Sequence, residues 1–206
     1  MKKNAIVLFL AILSVILIRC GNESANNSSG KTTTNVLEDT AVYNQYLSAG
    51  AGYASEAGKV LIKNLTEAIS SNGSAYAVQF CNTRAIPLTD SMSSALHLLS
   101  LKRVSDRTRN PDNKANEQEL GYIELLKTNM QNGESAKPKL METDDKITGY
   151  YPIVTNTMCM NCHSDKSKID SKTLAKINEL YPSDAATGYA ENQLRGLWVI
   201  EMEKKR

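Results

Sequence analysis

Histidine is scarce, with 2 in 206 residues, and aromatic residues reach only 6%, with one Trp and two Phe. Neither sign of charge dominates. The chain has 24 Lys and Arg against 22 Asp and Glu, and the formal net charge of +2 is too small for the domain-wide basic excess of a nucleic-acid binder, so no nucleic-acid partner is expected. No apolar run reaches the ~20 residues needed to span a bilayer as a helix. With 41% hydrophobic and 22% charged residues, wholesale disorder is excluded, and the length suits one ordinary globular domain.

The first residues read as an export signal. Lys2 and Lys3 precede the apolar stretch Ala5 to Ile18, interrupted only by Ser14 and ending at Arg19-Cys20. Leu17-Ile18-Arg19-Cys20 resembles a bacterial lipobox, with Arg19 where a small residue is usual, so Cys20 is the expected lipidation site. The expected organisation is a lipoprotein-type signal peptide over 1–19, a flexible Asn/Ser/Thr/Gly-rich tether over 20–35 and one folded domain over 36–206. That arrangement implies a membrane partner through the lipid anchor and a periplasmic or outer-face location in the cell envelope.

Beyond Val36, apolar spacing predicts two helices up to Ser71, divided by a break near Gly50-Ala51-Gly52. Asn72-Gly73 reads as a turn. A short helix from Ser74 should stop before Pro87, and another should run from Pro87 to about Leu96. Leu98 to Arg107 reads as a strand and Glu117 to Met130 as a helix. Strands are expected at Lys139 to Thr143, Ile147 to Val154 and Leu194 to Met202, with a helix at Ser171 to Leu180. The pattern predicts an α+β domain whose antiparallel sheet is covered on one face by the N-terminal helices.

Cys159-Met160-Asn161-Cys162-His163 is a CxxCH motif, the attachment signature of c-type haem. Two thiols three residues apart can add across the two vinyl groups of one porphyrin, and His163 then follows as an axial ligand to the iron. One covalent haem c is therefore the expected cofactor. A structural zinc site needs four Cys or His ligands, and Cys81 and His97 form no second close pair. A redox dithiol would be expected to open a helix in a βαβ setting, which the pattern lacks.

With Cys20 assigned to lipid, and Cys159 and Cys162 to haem, Cys81 has no disulfide partner. It reads either as a small buried residue or as a distal iron ligand. The residues alone leave the distal position open among Cys81, His97, a Met and an open site. Arg103, Arg107 and Arg109 are candidates to neutralise haem propionates, against the blander reading of a solvated strand edge and turn.

Several ordered segments between Leu61 and Glu203 resemble a family of exported bacterial and cyanobacterial c-type haem proteins of unknown function. They are Ala75 to Cys81, Lys102-Arg103-Val104, Arg109 to Asn113, Gly149 to Ile153, the CxxCH motif, Leu180-Tyr181-Pro182, Asp184 to Tyr189 and Arg195-Gly196. The resemblance implies a PAS-like sheet, a covalently attached haem and His/Cys axial coordination, with His163 and Cys81 as the ligands. In this sequence Lys114 to Glu117 stand where the family commonly shows a Pro and a Trp.

The function expected from these residues is redox or small-ligand sensing through a thiolate/His-ligated haem, with an unidentified redox or signalling protein as partner. The alternative is a monohaem electron-transfer cytochrome of the cell envelope. An enzyme is the weakest reading, because peroxidase chemistry needs an open iron site and a distal acid/base that the sequence does not display.

Overall fold

A computed structural model describes residues 35–143 and 145–205. The signal, most of the tether and Cys20 lie outside the described residues. Among the described residues, no helix is long and apolar enough to cross a membrane.

Among the described residues, a 3-10 turn (Val36–Glu38) leads into helix α1 (Thr40–Ala95), broken at Gly73, whose φ of 78° and ψ of 173° lie in a region open essentially to glycine. A straight helix of 56 residues would be about 84 Å long. Instead α1 doubles back at this one residue. Val42 and Leu47 near its start and Met92 near its end pack against the same core cluster.

Four strands follow: β1 (Ser100–Val104), β2 (Lys139–Glu142), β3 (Lys146–Val154) and β4 (Leu194–Glu203). They form one antiparallel sheet in the order β1-β4-β3-β2. Helix α2 (Glu117–Gln131) lies between β1 and β2 in sequence. The short α3 (Met160–His163) and the helix α4 (Ser171–Leu180) lie between β3 and β4.

Alternation along the strands gives the sheet two apolar faces. On one, Tyr151, Trp198, Ile200 and Leu101 join Tyr46, Ala54 and Ala57 of α1. On the other, Tyr150, Leu197, Val199 and Val104 meet Ile123 and Leu126 of α2. The α+β class and the antiparallel sheet are as expected, but helices cover both faces. A third cluster joins Val78 of α1 to Ile169, Ile177 and Tyr181 around α4, with Cys162 against it.

The helix break expected at Gly50-Ala51-Gly52 is absent, and α1 runs through it. Gly50 is there for close approach: a Cβ would fall 1.9 Å from the Tyr151 hydroxyl oxygen. That hydroxyl donates to the Leu47 carbonyl at 3.2 Å, so β3 docks directly on the α1 backbone. The break expected before Pro87 is also absent, because the second arm of α1 continues to Ala95. β1 ends at Val104 and not at Arg107. Ser105 turns away, its N–H donating to the Asn113 carbonyl at 2.9 Å and its hydroxyl to the Arg195 carbonyl at 2.8 Å. Where the family motif departs, Asn116 caps α2 in a reciprocal capping box with Glu119, while Ala115 is buried.

Candidate functional site

The CxxCH segment forms a single helical turn. A 3-10 turn (Thr157–Cys159) passes directly into α3, and Asn156 caps it by accepting the Cys159 N–H at 3.3 Å. Helical spacing puts residues i, i+3 and i+4 on one face, here Cys159, Cys162 and His163. All three line one cavity, together with Cys81 from the second arm of α1.

Apolar side chains from both arms of α1 form one part of that cavity, among them Leu61, Leu65, Ile69 and Val78. Arg103, Ser105, Thr108 and Arg109 of β1 and the following turn form a polar part, with Arg195 of β4 and Tyr181 after α4. The space enclosed is about 1030 Å³, part of it open to solvent.

The loop after α4 holds His163. Its Nδ1 lies 2.6 Å from the Ala186 carbonyl oxygen, which can only accept, so Nδ1 carries the proton and the Nε2 lone pair is left for a metal. Burial holds the imidazole well below its usual pKa, and Arg109 and Arg195 add to the effect, so the ring is neutral. The Tyr189 N–H donates to the His163 carbonyl at 2.9 Å, and its ring meets the imidazole edge-on, with centroids 6.3 Å apart.

Arg109 ties this loop to the CxxCH turn. Its Nε and Nη2 donate to the two Asp184 carboxylate oxygens at 3.0 and 3.3 Å, and Nη2 also donates to the Cys162 carbonyl at 2.6 Å. The pair is buried, with Asp184 only 3% exposed.

Burial raises the Cys81 thiol above its ordinary pKa, and the positive charges of Arg103 and Arg109 oppose that rise. Burial also pushes Cys162 up to about 11. Both are therefore neutral thiols at neutral pH in the metal-free chain.

The structure brings Cys81, Cys159, Cys162, His163, Arg103 and Arg109 to one cavity and leaves Arg107 out. Arg107 is engaged elsewhere: its Nε donates to the Ala185 carbonyl at 3.1 Å, its Nη2 to the Thr187 carbonyl, and its guanidinium stacks 4.3 Å from the Tyr189 ring centroid. Among the other distal candidates, His97 and three methionines lie away from the cavity. His97 is exposed at the turn after α1, with a φ of 53°. Met92, Met130 and Met141 sit against the two sheet cores. Met158 does reach the cavity, so Cys81 and Met158 are the soft donors there besides the CxxCH pair.

Three contributors are not legible as functional in the sequence: Ala186, Asp184 and Arg195. Asp184 to Tyr189 and Arg195-Gly196 stand out there only as motifs, with turn geometry a sufficient account. Ala186 acts through its carbonyl, which no residue type advertises.

The donor set fits a haem. Two thiols and a neutral imidazole share one helical face, Cys81 is a further soft donor, and the buried Nε of Arg103 has no hydrogen-bond partner among the described residues.

No curated protein matches the chain. Among solved structures, the cyanobacterial heme-protein Tll0287 aligns with a TM-score of 0.51 at 18% identity, covering 74% of this chain and 97% of that one. At that identity the likeness speaks to the fold, which the two share. The sequence profile of the Tll0287-like family matches residues 24–202, a span that takes in both arms of α1, nearly all of the sheet and every residue lining the cavity. The chain belongs to the Tll0287-like family.

Proposed function

We propose that this chain carries one haem, attached covalently through Cys159 and Cys162, with His163 and Cys81 as iron ligands, and that it serves redox or small-ligand sensing. The observation that carries the reading is the convergence of Cys81, from a distant helical arm, on the cavity lined by the CxxCH face. That Tll0287 is a heme-protein supports it. Haem supplies one-electron chemistry and, when a ligand position is free, a site for a small molecule.

The chain's own residues set the terms. Burial and the neighbouring arginines hold His163 neutral, and the Ala186 carbonyl orients it. Among the described residues, the Cys81 thiol makes no hydrogen bond, which favours exchange of that ligand and hence sensing over simple electron transfer. We read the four-stranded sheet as a PAS-like sensor sheet. The lipobox reading of Leu17 to Cys20 makes the domain a lipid-anchored protein of the cell envelope, working with a separate redox or signalling partner.

The test compares ferric absorption and electron paramagnetic resonance spectra of wild type and Cys81→Ala, both made in a host with c-type maturation. A low-spin thiolate signature that vanishes in the variant is the expected result. Identical spectra would transfer the position to Met158 or water and favour the electron carrier. Folded protein with no haem stain after denaturing electrophoresis would remove the haem itself.

A further inference from the structure

The cavity is amphipathic in a way that the iron ligands do not use. Its α1 side is aliphatic, whereas its β1 side presents the guanidinium groups of Arg103, Arg109 and Arg195. A buried guanidinium without a counter-charge is costly, so each of the three needs a partner.

Arg109 has one, since Asp184 neutralises it and the Cys162 carbonyl takes a further N–H. Arg195 is oriented but not neutralised. Its Nη1 donates to the Ser105 hydroxyl at 2.7 Å and the Arg107 carbonyl at 3.0 Å, both uncharged acceptors, and its guanidinium stands 5.4 Å from the Tyr189 ring centroid. Arg103 is neither paired nor fully hydrogen-bonded. Its guanidinium lies 5.6 Å from the centroid of a Trp198 ring, and its Nε is buried without a partner among the described residues. Burial makes the charged form of Arg103 harder to hold; the nearby Cys81 and Tyr181 side chains oppose this, and the like charge of Arg195 adds to it.

We infer that Arg103 and Arg195 form a carboxylate subsite of the cavity, built to receive the two acidic side chains of a dianionic porphyrin. Two uncompensated cations match two carboxylates in charge, and the guanidinium fork matches a carboxylate in geometry. The arginines reach the same cavity from neighbouring strands, since β1 and β4 pair with Arg103 opposite Trp198. The ring edge bearing the acids would then lie toward β1, and the apolar edge toward Leu61, Leu65 and Ile69. This assignment rests on the haem reading above and adds orientation to it.

The test uses the haem-free full-length chain and two probes, zinc mesoporphyrin and its dimethyl ester. Neither has vinyl groups, so neither can be joined to Cys159 or Cys162, and affinity can be read by fluorescence titration. The free acid is expected to bind the wild type roughly ten- to a hundredfold more tightly than the ester, the range for charge-assisted hydrogen bonds. The double variant Arg103→Gln/Arg195→Gln should lose that preference. Arg107→Gln should keep it.

Equal affinity of acid and ester for the wild type overturns the subsite, and this comparison needs no variant to fold. A preference that survives in the double variant also overturns it, as does failure of both probes to bind. Haem staining of protein from the maturing host separates the two levels: a stained band beside any of these failures removes the subsite alone, and an unstained one removes the haem reading as well.

Discussion

The two walls that carry the proposed iron ligands are built by different means. The His163 wall is stitched by directional bonds: Nδ1 to Ala186, the Tyr189 N–H to the His163 carbonyl, and Arg109 bridging Asp184 and Cys162. The Cys81 wall is a helical arm held by apolar contact, chiefly Val78 against Ile169, Ile177 and Tyr181. Hydrogen bonds fix direction and lose most of their value when stretched, whereas apolar packing tolerates small sliding. One wall is therefore preorganised and the other able to shift, the division of labour a ligand-exchange sensor needs.

The strongest way to break this contrast is to cut the stitched wall. Asp184→Ala leaves Arg109 as an unpaired buried charge and loosens the turn that orients His163, at a cost of about 4 kcal/mol. Denaturant titration of the holoprotein should show the loss, and electron paramagnetic resonance should show disturbed histidine coordination. An intact spectrum would mean that Ala186 orients the ring without Arg109.

Ile177→Ala attacks the other wall. Ile177 is fully buried, and its truncation should cost about 3 kcal/mol. The spectroscopic outcome should differ in kind: a mixture of thiolate-bound and thiolate-free iron, with the histidine signature unchanged. A uniform spectrum would show that the Cys81 arm is as rigid as its counterpart. Gly73→Ala strains the reversal between the two arms and should cost about 2 kcal/mol, because a φ of 78° with a ψ of 173° suits glycine alone. No atom outside its chain neighbours lies within 4 Å of that added Cβ, so the loss would come from backbone strain and not from a clash. Denaturant midpoints of the two proteins check it, and equal midpoints would mean that the reversal tolerates a side chain.

The same contrast explains what can be read from the sequence. The strands β3 and β4 and the helix α4 fall within a residue or two of their predicted bounds, because alternation and helical spacing are local signals. Helix α1 departs from its predicted breaks in both arms. In the first, Gly50 looks like a break only until Tyr151, about a hundred residues later, is seen lying against it. In the second, which carries Cys81, Pro87 looks like a stop although the arm continues through it. Among the site residues, CxxCH is legible because its chemistry resides in side chains at fixed spacing. The arginines are legible as a type but not as partners: only the fold shows Arg107 and Arg109 satisfied by protein groups while Arg103 and Arg195 are not neutralised.

The smallest effect sharpens the comparison by touching neither wall. Glu142 on β2 accepts the Val36 N–H at 2.8 Å and the Leu37 N–H at 2.9 Å, and it pairs with Lys204 at 2.5 Å, clamping the start of the folded domain to the sheet. Burial alone would raise its pKa, but Lys204 and the two amides outweigh it and hold the carboxyl below its ordinary value of 4.5. Between the folded value and 4.5 the unfolded chain binds the proton and the folded chain does not, so acid favours unfolding in that window. The contribution of Glu142 is complete above it and is lost as pH falls through the folded pKa. Denaturant midpoints measured from about pH 6 down to about pH 3 should fall less steeply for Glu142→Gln than for wild type, with the visible spectrum of the two superimposable throughout. Equal slopes would mean that the clamp adds nothing to stability. A spectrum that changed with the substitution would show that the start of the domain is coupled to one of the two walls, and the division between them would have to be redrawn to include it.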